Sequence, residues 1–337
     1  MSQRAHFVLL DPMEDDHMFE RWRRTLLALS AGLCASSVLV SACGSSPTAA
    51  TGGASSSATG SFPTSLSAAN GTVRIKARPR SIVSLSPTAT EMLYAIGAGN
   101  QVKAVDKYSD YPRNAPRTNL DELQPNVEAI VSYRPDLVVV PGDSTGLTGR
   151  LAPLGIPVLS LPPAATLEDA YEQYDQLGQA TGHVQGAEAE AARVKEQVAR
   201  IVGEAPRSAA GQTYYYELEP SYYSVTSATF IGRVLGLLGL HDIADSASSA
   251  ASSGGYPQLS AEFIVQSNPD WVFLADRICC GQTLHTVAAR PGWSTMQAVS
   301  RGQVVGLDDD IASRWGPRIV ELLQTVETAM SRHSAAP

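Results

Sequence analysis

A fifteen-residue stretch that occurs twice limits the folds open to this chain more than any other feature. Asn126-VEAIVSYRPDLVVV lies on Ser260-AEFIVQSNPDWVFL without a gap, at an offset of 134, with six of fifteen positions identical. The shared residues are Glu128/Glu262, Ile130/Ile264, Val131/Val265, Pro135/Pro269, Asp136/Asp270 and Val138/Val272. Each copy reads as a capped short helix, a Pro-Asp turn and a strand apolar enough to be covered on both faces. A weaker echo relates the helix ending at Gly97 to the one ending at Gly239. The offset is too long for a solenoid, whose period is about 20–50 residues, so the pattern reads as a duplicated lobe.

The segment from Ser81 shows what kind of lobe. Ile82 to Leu85 is a strand-like apolar run, and Ser86-Pro87 supplies an N-cap with proline at the first helical position. Ala89, Met92, Leu93 and Ile96 follow at helical spacing, and Gly97 gives the left-handed stop. Val102 to Val105 is the next strand, and it empties into Tyr108-Ser109-Asp110-Tyr111-Pro112. Leu137 to Val140 and Val158 to Leu161 continue the alternation, which predicts a parallel, doubly wound lobe. Open sheets of that kind bind ligands at the carboxyl ends of their strands, where the two tyrosines fall. A surface loop with tyrosines lying on the core fits the same pattern.

Thr166 starts a helix with Leu167, Ala170, Tyr171, Tyr174 and Leu177 on one face. In a second helix Val184, Ala187, Ala191, Val194, Val198 and Ile201 form a sustained stripe. About 20 residues of helix make a rod of about 30 Å. New strands begin after it at Tyr214-Tyr215-Tyr216, so it reads as a strut between two lobes. The expected segments are 72–165 for the first lobe, 166–205 for the helical region and 206–333 for the second lobe.

Residues 1–42 read as a signal peptide. Arg21, Arg23 and Arg24 precede the apolar run Thr25 to Val40, and Val40-Ser41-Ala42-Cys43 follows. Small residues ahead of that cysteine resemble a bacterial lipobox, with Cys43 as the lipid-carrying mature N-terminus. The acidic residues ahead of the arginines point to Met13 or Met18 as the start of translation. Residues 43–71 are rich in Gly, Ser, Ala and Thr and are expected to be a flexible tether. The body is then exported and held to the outer face of the cytoplasmic membrane by lipid alone. A formal net charge of −8 argues against nucleic acid as a partner. The remaining thiols, Cys279 and Cys280, are adjacent in sequence. Export favours oxidation, but adjacent Cα atoms about 3.8 Å apart would strain a vicinal disulfide, so that ring and a free pair both stay open.

Gly142-Asp143-Ser144-Thr145-Gly146 matches the G-x-S-x-G elbow of serine hydrolases and follows a strand. Pro153 and Gly155 interrupt the helix that should come next, and His183, His241, His285 and His333 show no matching strand-end context. A lipid-anchored serine hydrolase is therefore the alternative reading. There is no P-loop, dinucleotide fingerprint, H-E-x-x-H or spaced Cys/His set, and Asp308-Asp309-Asp310 lacks the spacing of a calcium loop. No metal site on the protein and no covalent cofactor beyond the lipid are expected.

Taken together, strand-SPT-x-T-E-helix-GAG followed by YSDYP resembles the substrate-binding proteins of ABC importers for vitamin B12, haem and ferric siderophores. NVEAIV-x3-PDLVVV, the strut helix, YPQLSAEFIV-x3-PDWV and the terminal GPRIVELL helix agree in order, so the resemblance covers about 80–330. It implies two Rossmann-like lobes joined by one long rigid helix, with ligand held in the cleft between them. It further implies a non-enzymatic monomer that delivers a cobalt- or iron-containing chelate to a permease dimer with ATPase subunits.

Carried over by position, the resemblance puts Tyr108 and Tyr111 at the cleft. It places Tyr223 where the cobalamin-binding branch has a phenylalanine facing the corrin, and Tyr256 where that branch has a tryptophan. The tryptophans expected before the Glu128 helix and after Val140 are absent, which leaves corrinoid, haem and ferric siderophore open. Arg314 and Trp315, with Arg318, are the residues a ferric siderophore would engage. Glu128 and Glu262 lie in the first turn of short helices, where the helix dipole alone would favour an acid. The resemblance gives them a second role, docking to arginines on the two permease subunits.

Overall fold

A β-hairpin, β1 (Thr64–Ala68) with β2 (Gly71–Ile75), leads the chain into the fold. The computed structural model describes residues 60–334. Leu66 and Val73 face each other across the hairpin and are both buried, so ordered structure begins inside the segment expected to be tether. The composition of 43–71 hides this strand because its outward positions, Ser65 and Ser67, read like the rest of a Ser-rich segment.

The first lobe runs β3 (Ile82–Ser84), α1 (Pro87–Ala95), β4 (Val102–Asp106), β5 (Arg117–Leu120), α2 (Val127–Ser132), β6 (Leu137–Val140), α3 (Leu147–Leu151), β7 (Val158–Ser160). Two long helices follow, α4 (Leu167–Thr181) and α5 (Val184–Glu204). The second lobe opens with β8 (Thr213–Glu217), α6 (Phe230–Gly236), β9 (His241–Asp242), α7 (Ala261–Ser267) and β10 (Trp271–Leu274). It closes with α8 (Arg277–Cys280), α9 (Leu284–Ala288), α10 (Gln297–Ser300), β11 (Val304–Gly306), α11 (Asp309–Ala312) and α12 (Ile319–Ser334).

The strand orders are β5-β4-β3-β6-β7 and β9-β8-β10-β11, and every pairing within them is parallel. Matching β3 with β8, β4 with β9, β6 with β10 and β7 with β11 gives one shared order, to which the first lobe adds β5. The duplication extends to backbone detail. Asn126 Oδ1 accepts from the Ala129 N–H at 3.0 Å, and Ser260 Oγ accepts from the Phe263 N–H at 3.1 Å. Arg134 and Asn268 both sit in the left-handed region, with φ 49° and 46°. Asp136 accepts from the Arg80 and Ser81 N–H groups, and Asp270 from the Thr213 N–H and hydroxyl. Each Pro-Asp pair thus ties its own strand to the start of the neighbouring one, which is why these residues recur in both copies.

Side chains on a strand alternate between faces, and three cores result. Val83, Ala104, Val138 and Ile130 fill the outer face of the first sheet. Tyr215, Val272, Leu274 and Trp293 fill that of the second. The inner faces share one core with the helices: Ile82, Val139, Tyr214, Tyr216 and Phe273 join Tyr174, Val194, Val198, Leu235 and Leu323. The 21-residue α5 is the strut, and it packs on α4, α1 and α12. The segment Ala58–Pro337 forms one compact unit that contains all three cores.

The strut docks on the first lobe through Gly186, where an added Cβ would overlap the Ile96 carbonyl oxygen. Alanine is the better helix former by about 1 kcal/mol, but overpacking against backbone costs about 1–3 kcal/mol. Gly186→Ala should therefore lower the urea midpoint; an unchanged or raised midpoint would show that α5 does not seat here.

Candidate functional site

The carboxyl ends of the parallel strands carry the functional side chains. On the first lobe, the Ser86 hydroxyl caps α1 by accepting from the Ala89 N–H at 3.2 Å. One turn on, the Thr90 hydroxyl donates to Ser84 Oγ at 2.9 Å and lies 3.0 Å from Ser109 Oγ. This buried hydroxyl chain pins the loop after β4. Tyr108 is 47% exposed and Tyr111 42%, so both rings stand in solvent rather than on the core. Lys107 Nζ lies 4.8 Å from the Tyr108 ring centre and is held by Asp121 at 2.6 Å.

Glu91 joins this loop to the second lobe. It lies in α1 with its carboxylate fully buried. Arg314 Nη1 donates to it at 2.8 Å, and Arg318 donates through Nε at 2.9 Å and Nη2 at 2.6 Å. Arg314 Nη2 also donates to the Tyr108 carbonyl at 3.1 Å and pairs with Asp310 at 2.5 Å, while Nη1 reaches Asp110 at 3.3 Å. The Arg318 guanidinium lies 4.3 Å over the Tyr111 ring. Trp315 is half-buried, and its indole N–H donates to Gln173 Oε1 at 2.7 Å. The Arg314 guanidinium, expected from the sequence to meet a siderophore, is buried and engaged by three carboxylates and a carbonyl.

On the second lobe, Glu217 ends β8 beside the point where the strand order reverses. Arg290 grips it with two hydrogen bonds of 2.6 Å and lies 4.5 Å over the Trp293 ring. Asp276 is fully buried next to this pair; burial, and then Glu217, push its carboxyl up to about 8. Burial likewise raises Asp106, at the end of β4, to about 6, and Glu122 to about 7. The strand ends therefore carry several carboxyls whose neutral form burial favours. Tyr223 is half-buried and bridges to Gln258, while Tyr256 is half-buried against the shared core. Cys279 and Cys280 end α8 with both thiols free and exposed. The Ile278 and Cys279 N–H groups donate to Asp309 at 2.9 and 2.6 Å.

Glu128 and Glu262 are exposed in the first turns of α2 and α7, and among the described residues neither forms an ion pair. Ser144 is exposed, follows β6 and precedes a helix of five residues; no histidine among the described residues is hydrogen-bonded to it. The nucleophile–base contact a hydrolase needs is missing. Cys43 lies outside the described residues. Sequence reasoning passed over Glu91, Glu217, Arg290 and Asp276. The one available signal was the glutamate of SPT-x-T-E, a charge on the helix face that also carries apolar residues.

Removing one partner of a buried ion pair costs about 3–5 kcal/mol, because the other charge stays buried and unpaired. Glu91→Ala should destabilise the fold by about that much in urea titrations. A loss below about 1 kcal/mol, the ordinary worth of an exposed pair, would show that the clamp does not hold the lobes.

The model of the family described as periplasmic binding protein matches residues 82–311. The "Uncharacterized ABC transporter substrate-binding lipoprotein YvrC" of Bacillus subtilis (strain 168) is 29% identical over 270 residues, covering 77% of this chain and 83% of its own. A cobalamin-binding protein of Halobacterium salinarum is 32% identical over 279 residues, covering 80% and 74%. The periplasmic heme-binding protein RhuT from Roseiflexus sp. RS-1 superposes with a TM-score of 0.65 over 76% of this chain and 99% of that one. At 22% identity that likeness is one of fold. The chain belongs to the periplasmic binding protein family, whose members are solute-binding components of transport rather than enzymes.

Proposed function

We propose that this protein captures a metal chelate between its lobes, with a corrinoid the best fit, and delivers it to an ABC permease driven by ATPase subunits. The observation that carries the reading is the pair of solvent-exposed tyrosine rings on a loop pinned at the strand ends. Aromatic faces bury a large flat guest with few rotamers to freeze. Tyr223, Tyr256 and Trp315 would add further aromatic surface. The choice of corrinoid rests on charge. Arg314 and Arg290 are already paired with carboxylates, so a guest with several anionic groups would meet few free cations. The similarity to a cobalamin-binding protein supports the same choice. Haem, with its propionates, and an anionic ferric siderophore fit this charge pattern less well.

In this reading the protein acts as a monomer outside the cytoplasmic membrane, held there by lipid on Cys43. Glu128 and Glu262 are its docking charges. Each occupies the same register position in its lobe, and a symmetric permease suits two like charges so placed.

Titration of residues 58–337 with cyanocobalamin, haemin and a panel of ferric siderophores, followed by tryptophan fluorescence, tests the reading. Cyanocobalamin should bind most tightly, and Tyr108→Ala should weaken it by about 2 kcal/mol or more, as for a buried aromatic anchor. A preference for an anionic siderophore, or an unchanged Tyr108→Ala affinity, would move ligand recognition elsewhere. Glu128→Lys with Glu262→Lys should abolish cellular uptake while leaving affinity intact; wild-type uptake would remove the docking role.

A further inference from the structure

The face opposite the strand ends carries a cationic stripe that the binding function does not use. Arg74 lies in β2, and Lys76, Arg78 and Arg80 follow in the segment that leads to β3, while Val73, Ile75 and Pro79 are buried. All four are exposed, as is Lys103 at the start of β4. They line a groove of about 1000 Å³ with His183, along the residues that lead into β3, β4, β6 and β7. The groove therefore lies at the amino ends of the first sheet, at the opposite edge from Tyr108.

Among the described residues none of these five cations forms an ion pair, although the chain as a whole has a formal charge of −8. Among the described residues the one acid lining the groove, Asp136, is occupied by the Arg80 and Ser81 N–H groups. Unpaired positive charge concentrated on one face of an acidic protein marks a surface for an anionic partner. The start of the fold lies at the same face. A Cβ on Gly60 would fall 3.2 Å from Gly182 Cα, and one on Gly182 would fall 3.1 Å from both Phe62 and Arg78. The chain thus enters the fold beside Arg78, at the end of the groove. Cys43 is seventeen residues upstream of Gly60, a reach of about 60 Å at full extension.

We infer that this basic face rests on an anionic phospholipid surface and holds the cleft away from the membrane. The inference relies on the lipid anchor proposed above to bring the face to the bilayer. A helix joining parallel strands runs antiparallel to them, so the first turns of α2 and α7, with Glu128 and Glu262, lie on the cleft side. Resting on lipid and docking through those glutamates then use opposite faces. The membrane-bound state is the one open to capture, and delivery requires release from the lipid.

Residues 58–337, which hold all three cores and lack Cys43, test the face without the anchor. They should co-sediment with vesicles containing phosphatidylglycerol and not with pure phosphatidylcholine, and added salt should weaken binding. Each basic side chain at such a surface contributes about a fivefold gain in partition. Arg74→Gln with Lys76→Gln and Arg80→Gln should therefore lose about a hundredfold, with far-UV circular dichroism and chelate affinity unchanged. Equal binding by this variant, equal binding to phosphatidylcholine, or indifference to salt would overturn the inference. Tighter binding to soluble polyphosphate than to the vesicles would also overturn it, in favour of a polyanion. Fatty-acid labelling of Cys43 in cells reports the anchor separately: unlabelled chain with intact vesicle binding removes the anchor and leaves the face. Labelled chain whose 58–337 segment ignores vesicles removes the face.

Discussion

A buried carboxylate held by two arginines from the other lobe is the contact on which the rest of the molecule depends. The Glu91 side chain is fully buried, and taking such a charge out of water is costly unless every lone pair is met. Arg314 and Arg318 meet it, and their remaining donors and faces reach the Tyr108 carbonyl, Asp110, Asp310 and the Tyr111 ring. The clamp therefore does two things at once: it closes the junction between the lobes, and it fixes the backbone that presents the tyrosines. A hydroxyl chain through Ser84, Thr90 and Ser109 supports the same loop from the first lobe.

The shared apolar core sets how the lobes can move. The inner faces of both sheets pack on one set of helices, with α5 in contact with α4, α1 and α12. A continuous close-packed layer resists shear, and Gly186 lets the strut approach the backbone of the first lobe with no side chain between. The arrangement differs from two domains on a loose linker, where large relative motion is the default.

Charge is distributed by face. The strand ends hold Asp106, Glu122, Glu217, Asp276 and Asp310, several with carboxyls raised by burial, and their arginines are already paired. The opposite edge of the first sheet holds unpaired arginines and lysines. Carboxylates and aromatic rings gather at the strand ends and cations at the opposite edge, so the two ends of the first sheet differ in charge.

The sequence by itself determined the duplication, the parallel lobes, the strut and the strand-end position of the tyrosine loop. Each of these is written in local patterns: caps at Ser86, Asn126 and Ser260, apolar strands, a helical stripe from Val184 to Ile201. The hairpin strand Thr64–Ala68 escaped because Ser65 and Ser67 fill its outer face, and composition alone cannot see a partner strand. Which charges are free was decided only by tertiary structure. Arg314 and Arg318 lie 223 and 227 positions from Glu91, and no periodicity links residues so far apart. An arginine reads the same in sequence whether it will meet a ligand or a buried glutamate. Only the folded chain, by taking one carboxylate out of water, fixes which of the two it meets.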